Sequence, residues 1–124
     1  GIDLLDPDVD DARFSGLADA YYFDRKRRGI LRHDAAHALK HDTNILGAML
    51  VRQDFADGML SGRTSHYPNV LRPVLQVLGH DVGGRHHHPY GLYIMIMETG
   101  TYFLGDCTVN VEMSAEQLAE LAVL

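Results

Sequence analysis

From Ala56 to Pro73 the chain reads Ala-Asp-Gly-Met-Leu-Ser-Gly-Arg-Thr-Ser-His-Tyr-Pro-Asn-Val-Leu-Arg-Pro, which holds its clearest chemical signal. These residue types predict a short buried strand at Asp57 to Ser61, a small polar loop and then a helix. Pro68 suits a first helical turn, where its missing N–H has no intrahelical partner to lose. Ser61, Gly62, Arg63, Thr64 and Ser65 would bring an anion unpaired backbone N–H groups, hydroxyl donors, a guanidinium and the positive end of the helix dipole. Arg72, in the early turns of that helix, would add a second cation. The chemistry favoured is phosphate or carboxylate binding; a joint that only caps the helix fits the same pattern.

Other clusters carry less. His33, His37 and His41 follow one another at i+4 on a predicted helix. Two such imidazoles can ligate a metal, but no glutamate stands where a metalloprotease base would, and three successive turns drift around the helix. They are therefore expected to form an exposed polar face, with no metal assigned. His86-His87-His88 lacks ligand spacing and suggests only adventitious metal binding. Asp106-Cys107-Thr108-Val109-Asn110 follows a predicted hairpin, where strand ends of open α/β sheets line ligand crevices. Cys107 has no base that can be named beside it and is expected to be a buried, inert thiol. No Ser-His-Asp signature, dinucleotide-binding GxGxxG or Walker loop is present.

The elements that must position these groups follow from periodicity and capping. Asp11 is the expected N-cap of a helix to about Arg28 that stops at Gly29, with Phe14, Leu17, Ala18 and Tyr21 as its apolar stripe. Arg25 to Arg28 read as a solvated basic last turn. Helices are expected at Leu31 to His41, from a Thr43 cap to about Gln53, and at Tyr67 to Leu78 with Gly79 as the stop. Ile2 to Leu5 suggests the end of a strand, and Gly83 to Pro89 a connection. Leu92 to Met97, the turn Glu98-Thr99-Gly100 and Tyr102 to Gly105 predict a β-hairpin. Ser114 with Gln117 forms a capping-box pair opening a last helix. Alternating helices and strands imply an α/β layered fold.

The 124 residues allow one domain or part of one. A formal net charge of -6 argues against a nucleic-acid or anionic-membrane surface. The single Cys107 excludes an intrachain disulfide and favours a reducing compartment. No apolar run approaches the roughly 20 residues of a membrane helix, nor is there a signal-peptide pattern, so a cytoplasmic location is expected. The start at Gly1 and the uncapped apolar end at Gln117 to Leu124 predict a piece of a longer protein, truncated at both ends.

Asn44 to Val51, Asp57-Gly58 through Ser61-Gly62, Leu71 to Gln76, and Gly105 to Asn110 followed by Ser114 to Glu120 are, in this order, similar to phosphate acetyl- and butyryltransferases. The likeness spans nearly the whole chain. The same domain also ends large bacterial NADP-dependent malic enzymes. Arg63-Thr64-Ser65-His66-Tyr67-Pro68, with Gly29 after its basic run and Val77-Leu78-Gly79, looks like the malic-enzyme version.

The resemblance implies a three-layer αβα architecture, part of a two-subdomain fold of the isocitrate/isopropylmalate dehydrogenase type, with a cleft for coenzyme A and phosphate. Residues 1–124 would be a partial phosphotransacetylase-like domain. It implies an acetyl-CoA-sensing regulatory and oligomerising module whose ligand shifts the whole enzyme's conformational population. The malate, NADP and divalent-metal sites would lie in domains outside this chain. Ser61, Gly62, Arg63, Thr64 and Arg72 are the expected contacts to phosphate or acyl-CoA. The alternatives are a fragment of an active phosphate acetyltransferase, whose catalytic Ser, Arg and Asp would lie beyond the last matching residue, and a purely structural oligomerisation domain. The fragment alone is expected to have no turnover.

Overall fold

Helix-forming segments dominate the first two-thirds of the chain and two short hairpins the rest. The computed structural model describes residues 4–6, 12–79, 81–82, 85–86 and 89–123, with only the backbone described at 81–82 and 85–86. Five helices run α1 Ala12–Arg25, α2 Arg32–His41, α3 Thr43–Arg52, α4 Tyr67–Leu78 and α5 Ala115–Val123, and a 3₁₀ turn at Lys26–Arg28 extends α1. The strands are β1 Asp81–Val82, β2 Arg85–His86, β3 Leu92–Met97 and β4 Gly100–Gly105. They form two separate antiparallel pairs, β1 with β2 and β3 with β4. The result is a mixed α/β fold whose contacts divide it into two compact units, Gly1–Gly79 and His80–Leu124.

In the first unit, Leu17, Ala18 and Tyr21 of α1 meet Ala35 and Leu39 of α2, the Ile45, Leu46, Ala48 and Met49 face of α3, and Val77 of α4. The expected α1 stripe is thus the buried one, with Phe14 packed at its margin. Gly29, at φ +88, ends the 3₁₀ turn in the left-handed conformation that glycine adopts without a Cβ clash. Asp42, not Thr43, caps α3: its carboxylate accepts from the Asn44 and Ile45 N–H groups at 2.9 and 3.3 Å. That satisfies two of the first-turn donors that a helix leaves open. The proposed Asp11 cap lies outside the described residues.

The carboxyl end of α4 is held from outside. Arg25 donates to the Gln76 carbonyl at 3.5 Å and Arg52 donates to the Val77 carbonyl. Arg52 also pairs with Asp24 at 3.1 Å. Two guanidiniums therefore fill carbonyl positions that a helix end leaves without partners. Arg25, expected in a solvated last turn, instead lies against Tyr21; burial pushes the Tyr21 hydroxyl above its usual pKa, with Arg25 opposing that rise.

Asp57 to Ser61 does not form the expected strand. No described strand pairs with it, and Leu60 stands fully exposed. The segment lies against α3 through Met59, whose methyl would sit 3.3 Å from a Cβ placed on Gly47. Apolar content misled here, because strands need a ladder partner as well as an apolar side. Leu4 and Leu5 are likewise irregular, and Gly1 to Asp3 lie outside the described residues. Within the segment read as a connection lies β2, which pairs with β1 just before that segment through Asp81↔His86 and Val82↔Arg85.

In the second unit, β3 and β4 pair from Leu92↔Gly105 to Met97↔Gly100, so the turn is Glu98-Thr99 alone and Gly100 and Thr101, read as turn or left unassigned, belong to β4. Both faces of the hairpin are apolar and exposed: Ile94 opposes Phe103 on one, Met95 opposes Tyr102 on the other. The Ser114 cap of α5 forms as read. Its N–H donates to Gln117 Oε1 at 2.8 Å, and the Gln117 N–H returns to Ser114 Oγ at 3.3 Å. Where Gly105 leaves β4, a Cβ would come within 2.8 Å of Leu121 Cδ2, so glycine gives α5 its close seat on the hairpin.

Candidate functional site

Ser61 to Ser65 form an exposed irregular loop and bend leading into α4. Gly62 adopts φ +98, a conformation that an L side chain resists. His66 gives α4 no side-chain cap, but its carbonyl accepts the Asn69 N–H at 2.9 Å, and Pro68 has no N–H to offer. The Ser61 hydroxyl donates to Asn44 Oδ1, which moors the loop to the first turn of α3.

Along α4, Asn69, Arg72, Pro73 and Gln76 share one face, and opposite them stand Asp42 and Ile45 at the start of α3. These six line a cleft of about 330 Å³. Pro73 lacks the N–H that would reach the Asn69 carbonyl, so the helix withdraws one internal donor at the cleft wall. The cleft presents a guanidinium, two carboxamides and a carboxylate already engaged by its own cap. It can bind a polar ligand bearing negative charge, while Ile45 and Pro73 supply an apolar floor.

Of the five residues expected to meet an anion, only Arg72 lines this cleft. Ser61 reaches α3 one residue before Ile45, whereas Gly62, Arg63 and Thr64 stand exposed along the loop. Among the described residues, neither Arg63 nor Arg72 has an ion-pair partner. The sequence reading missed Asp42, Asn69 and Gln76. The i, i+3, i+7 spacing of Asn69, Arg72 and Gln76 was the available signal.

A second organised turn closes the hairpin in the other unit. Asp106 takes a left-handed φ of 47° and gathers the chain around its carboxylate. Oδ1 accepts the N–H groups of Gly91, Val109 and Asn110 at 3.2, 3.2 and 3.3 Å, and Oδ2 accepts Asn110 Nδ2 at 2.5 Å. Asn110 also donates to the Pro89 carbonyl at 2.9 Å. Partial desolvation would raise the Asp106 pKa, but these hydrogen bonds together prevail and hold it below the usual carboxylate range. Cys107, expected to be buried, is exposed; the turn directs it outward because Asp106 and Asn110 occupy the inside. His33, His37 and His41 are exposed as expected.

A family model described as phosphate acetyl/butaryl transferase matches residues 1–124. Phosphate acetyltransferase of Escherichia coli strain K12 is 32% identical over 99% of this chain and 16% of its own length. The Staphylococcus epidermidis strain RP62A enzyme is 33% identical over 98% of the chain and 36% of its own. A crystal structure of a phosphotransacetylase from Streptococcus pyogenes superposes with a TM-score of 0.71 at 33% identity, covering 90% of this chain and 33% of that one. The chain thus spans little more than a third, or less, of each of these proteins.

These likenesses overturn the reading as a malic-enzyme regulatory domain, and with it the oxidoreductase and NADP assignments: the relatives are phosphate acetyltransferases. The Tyr67-Pro68 pair behind that reading occupies the first turn of α4, where proline is favoured in any helix. It reports a helix start and does not discriminate between the two kinds of parent. The chain belongs to the phosphate acetyl/butyryl transferase family.

Proposed function

We propose that these residues form part of a phosphate acyltransferase, moving an acyl group between acyl phosphate and coenzyme A. The unpaired Arg72 guanidinium in the α3–α4 cleft carries the assignment, because both substrates bear phosphate that a planar guanidinium can bind bidentately. Arg63, on the loop before the uncapped end of α4, would supply longer-range attraction; Ser61, Gly62 and Thr64 would present hydroxyl and backbone donors. The whole enzyme would have the three-layer, two-subdomain architecture, with its catalytic groups outside this chain, and would act as a homo-oligomer in the cytoplasm. No helix among the described residues is long and apolar enough to cross a membrane. No turnover is expected from the 124 residues alone.

The test is steady-state kinetics of the complete transferase carrying these residues. Arg72→Ala should raise KM for acetyl phosphate or coenzyme A by roughly tenfold, the scale of one charge-assisted contact, while Arg63→Ala should raise it less. Unchanged KM values for both substrates in Arg72→Ala would remove this cleft from substrate binding. Arg72→Lys should restore only part of the loss, because an ammonium cannot make the paired contact.

A further inference from the structure

We propose that His37 and His41 chelate one borderline divalent transition-metal ion of the Zn²⁺ class at the last turns of α2. The two imidazoles stand at i and i+4, with ring centroids 4.1 Å apart and planes at 47°. Two nitrogens bound to one tetrahedral ion at about 2.0–2.1 Å lie roughly 3.3 Å from each other and set their ring centroids about 5 Å apart, so the two rings would open from their present contact to take the ion. Both side chains are exposed, so an ion need not lose all its water to enter. Imidazole is a preferred donor for Zn²⁺, Ni²⁺ and Cu²⁺, which selects this class over Mg²⁺ or Ca²⁺.

The pair is distinct from the triplet in the sequence. His33 lies one turn earlier and engages Asp34 at 3.1 Å through Nε2. The second Asp34 oxygen accepts the Leu31 N–H at 3.1 Å, so that carboxylate is already used at the head of the helix. Among the described residues, no three His, Cys, Asp or Glu side chains converge on a common point, and water would complete the coordination shell. The bound ion would clamp the end of α2 beside Asp42, the cap of α3 and a wall of the cleft.

The experiment is a Zn²⁺ titration of the chain with His86, His87 and His88 replaced by alanine, followed through the imidazole ¹⁵N resonances. The His37 and His41 signals should move together and saturate at one equivalent, with His33 and His66 unmoved. Loss of the chelate in His37→Ala or His41→Ala should weaken binding by roughly tenfold or more, while His33→Ala should leave it intact. Absence of movement at His37 and His41, equal movement at His33 or His66, or undiminished affinity in either pair variant would overturn the proposal.

Discussion

Asp106 shows how one side chain can organise a turn that composition alone does not reveal. Its carboxylate replaces the backbone ladder where β4 ends, and every donor it collects favours the ionised form. Since its folded pKa is depressed, its contribution to stability is present above the unfolded value of about 3.9 and is lost as pH falls through the lower folded value. Acid titration should therefore loosen this turn, seen as collapse of the Val109 and Asn110 amide shifts. Asp106→Asn should abolish that acid transition and weaken the turn at neutral pH; a transition that persists unchanged would assign it to other carboxylates. The sequence placed Asp106 correctly at a strand end but gave no sign of its partners. Gly91, Pro89 and Asn110 converge only once the hairpin has closed, a non-local event that local pattern does not encode.

At the scale of elements, helices were legible, whereas the lone strand expected at Asp57 to Ser61 does not form. Capping residues and apolar stripes are local, so α1 to α5 appear close to their expected bounds and the β3–β4 hairpin follows its turn. Asp57 to Ser61 has strand composition but no partner among the described residues, and a ladder is decided elsewhere in the chain. The cleft was half legible: Arg72 was named, whereas Asp42 joined it only through the packing of α3 on α4. Between β4 and α5 the fit is close enough to test. Gly105→Ala should lower the second unit's stability by about 1 kcal/mol, since Leu121 must yield to the new methyl. Adding Leu121→Ala should make the Gly105 change nearly neutral in a double-mutant cycle of denaturant midpoints.

For the molecule as a whole, the apolar faces of β3 and β4 are the largest departure from an ordinary soluble surface. Leu92 to Met97 and Tyr102 to Leu104 are each at least 42% exposed, on both sides of the hairpin. Strands with this composition normally lie in sheets covered on both faces. The chain should bind a hydrophobic dye such as ANS, and paired Ile94→Lys and Phe103→Lys changes should remove the share of that fluorescence owed to their face of the hairpin. Full retention of the signal would place the dye on the opposite face of the hairpin, around Met95 and Tyr102, or on the helical unit.

The grip of Arg25 and Arg52 on α4 has a mechanical side. Twelve residues make a rod about 18 Å long, fastened at its carboxyl end to α1 and α3, with Arg72 at its middle and the polar loop at the other end. A tilt of roughly 6° about the fastened end would move Arg72, about 9 Å along the rod, by about 1 Å, enough to spoil a bidentate contact. Arg52→Met should thus do two things: lower stability by about 1 kcal/mol, read by thermal melting, and weaken anion affinity at a cleft it never touches. Helix α4 is a lever whose fulcrum is two arginines.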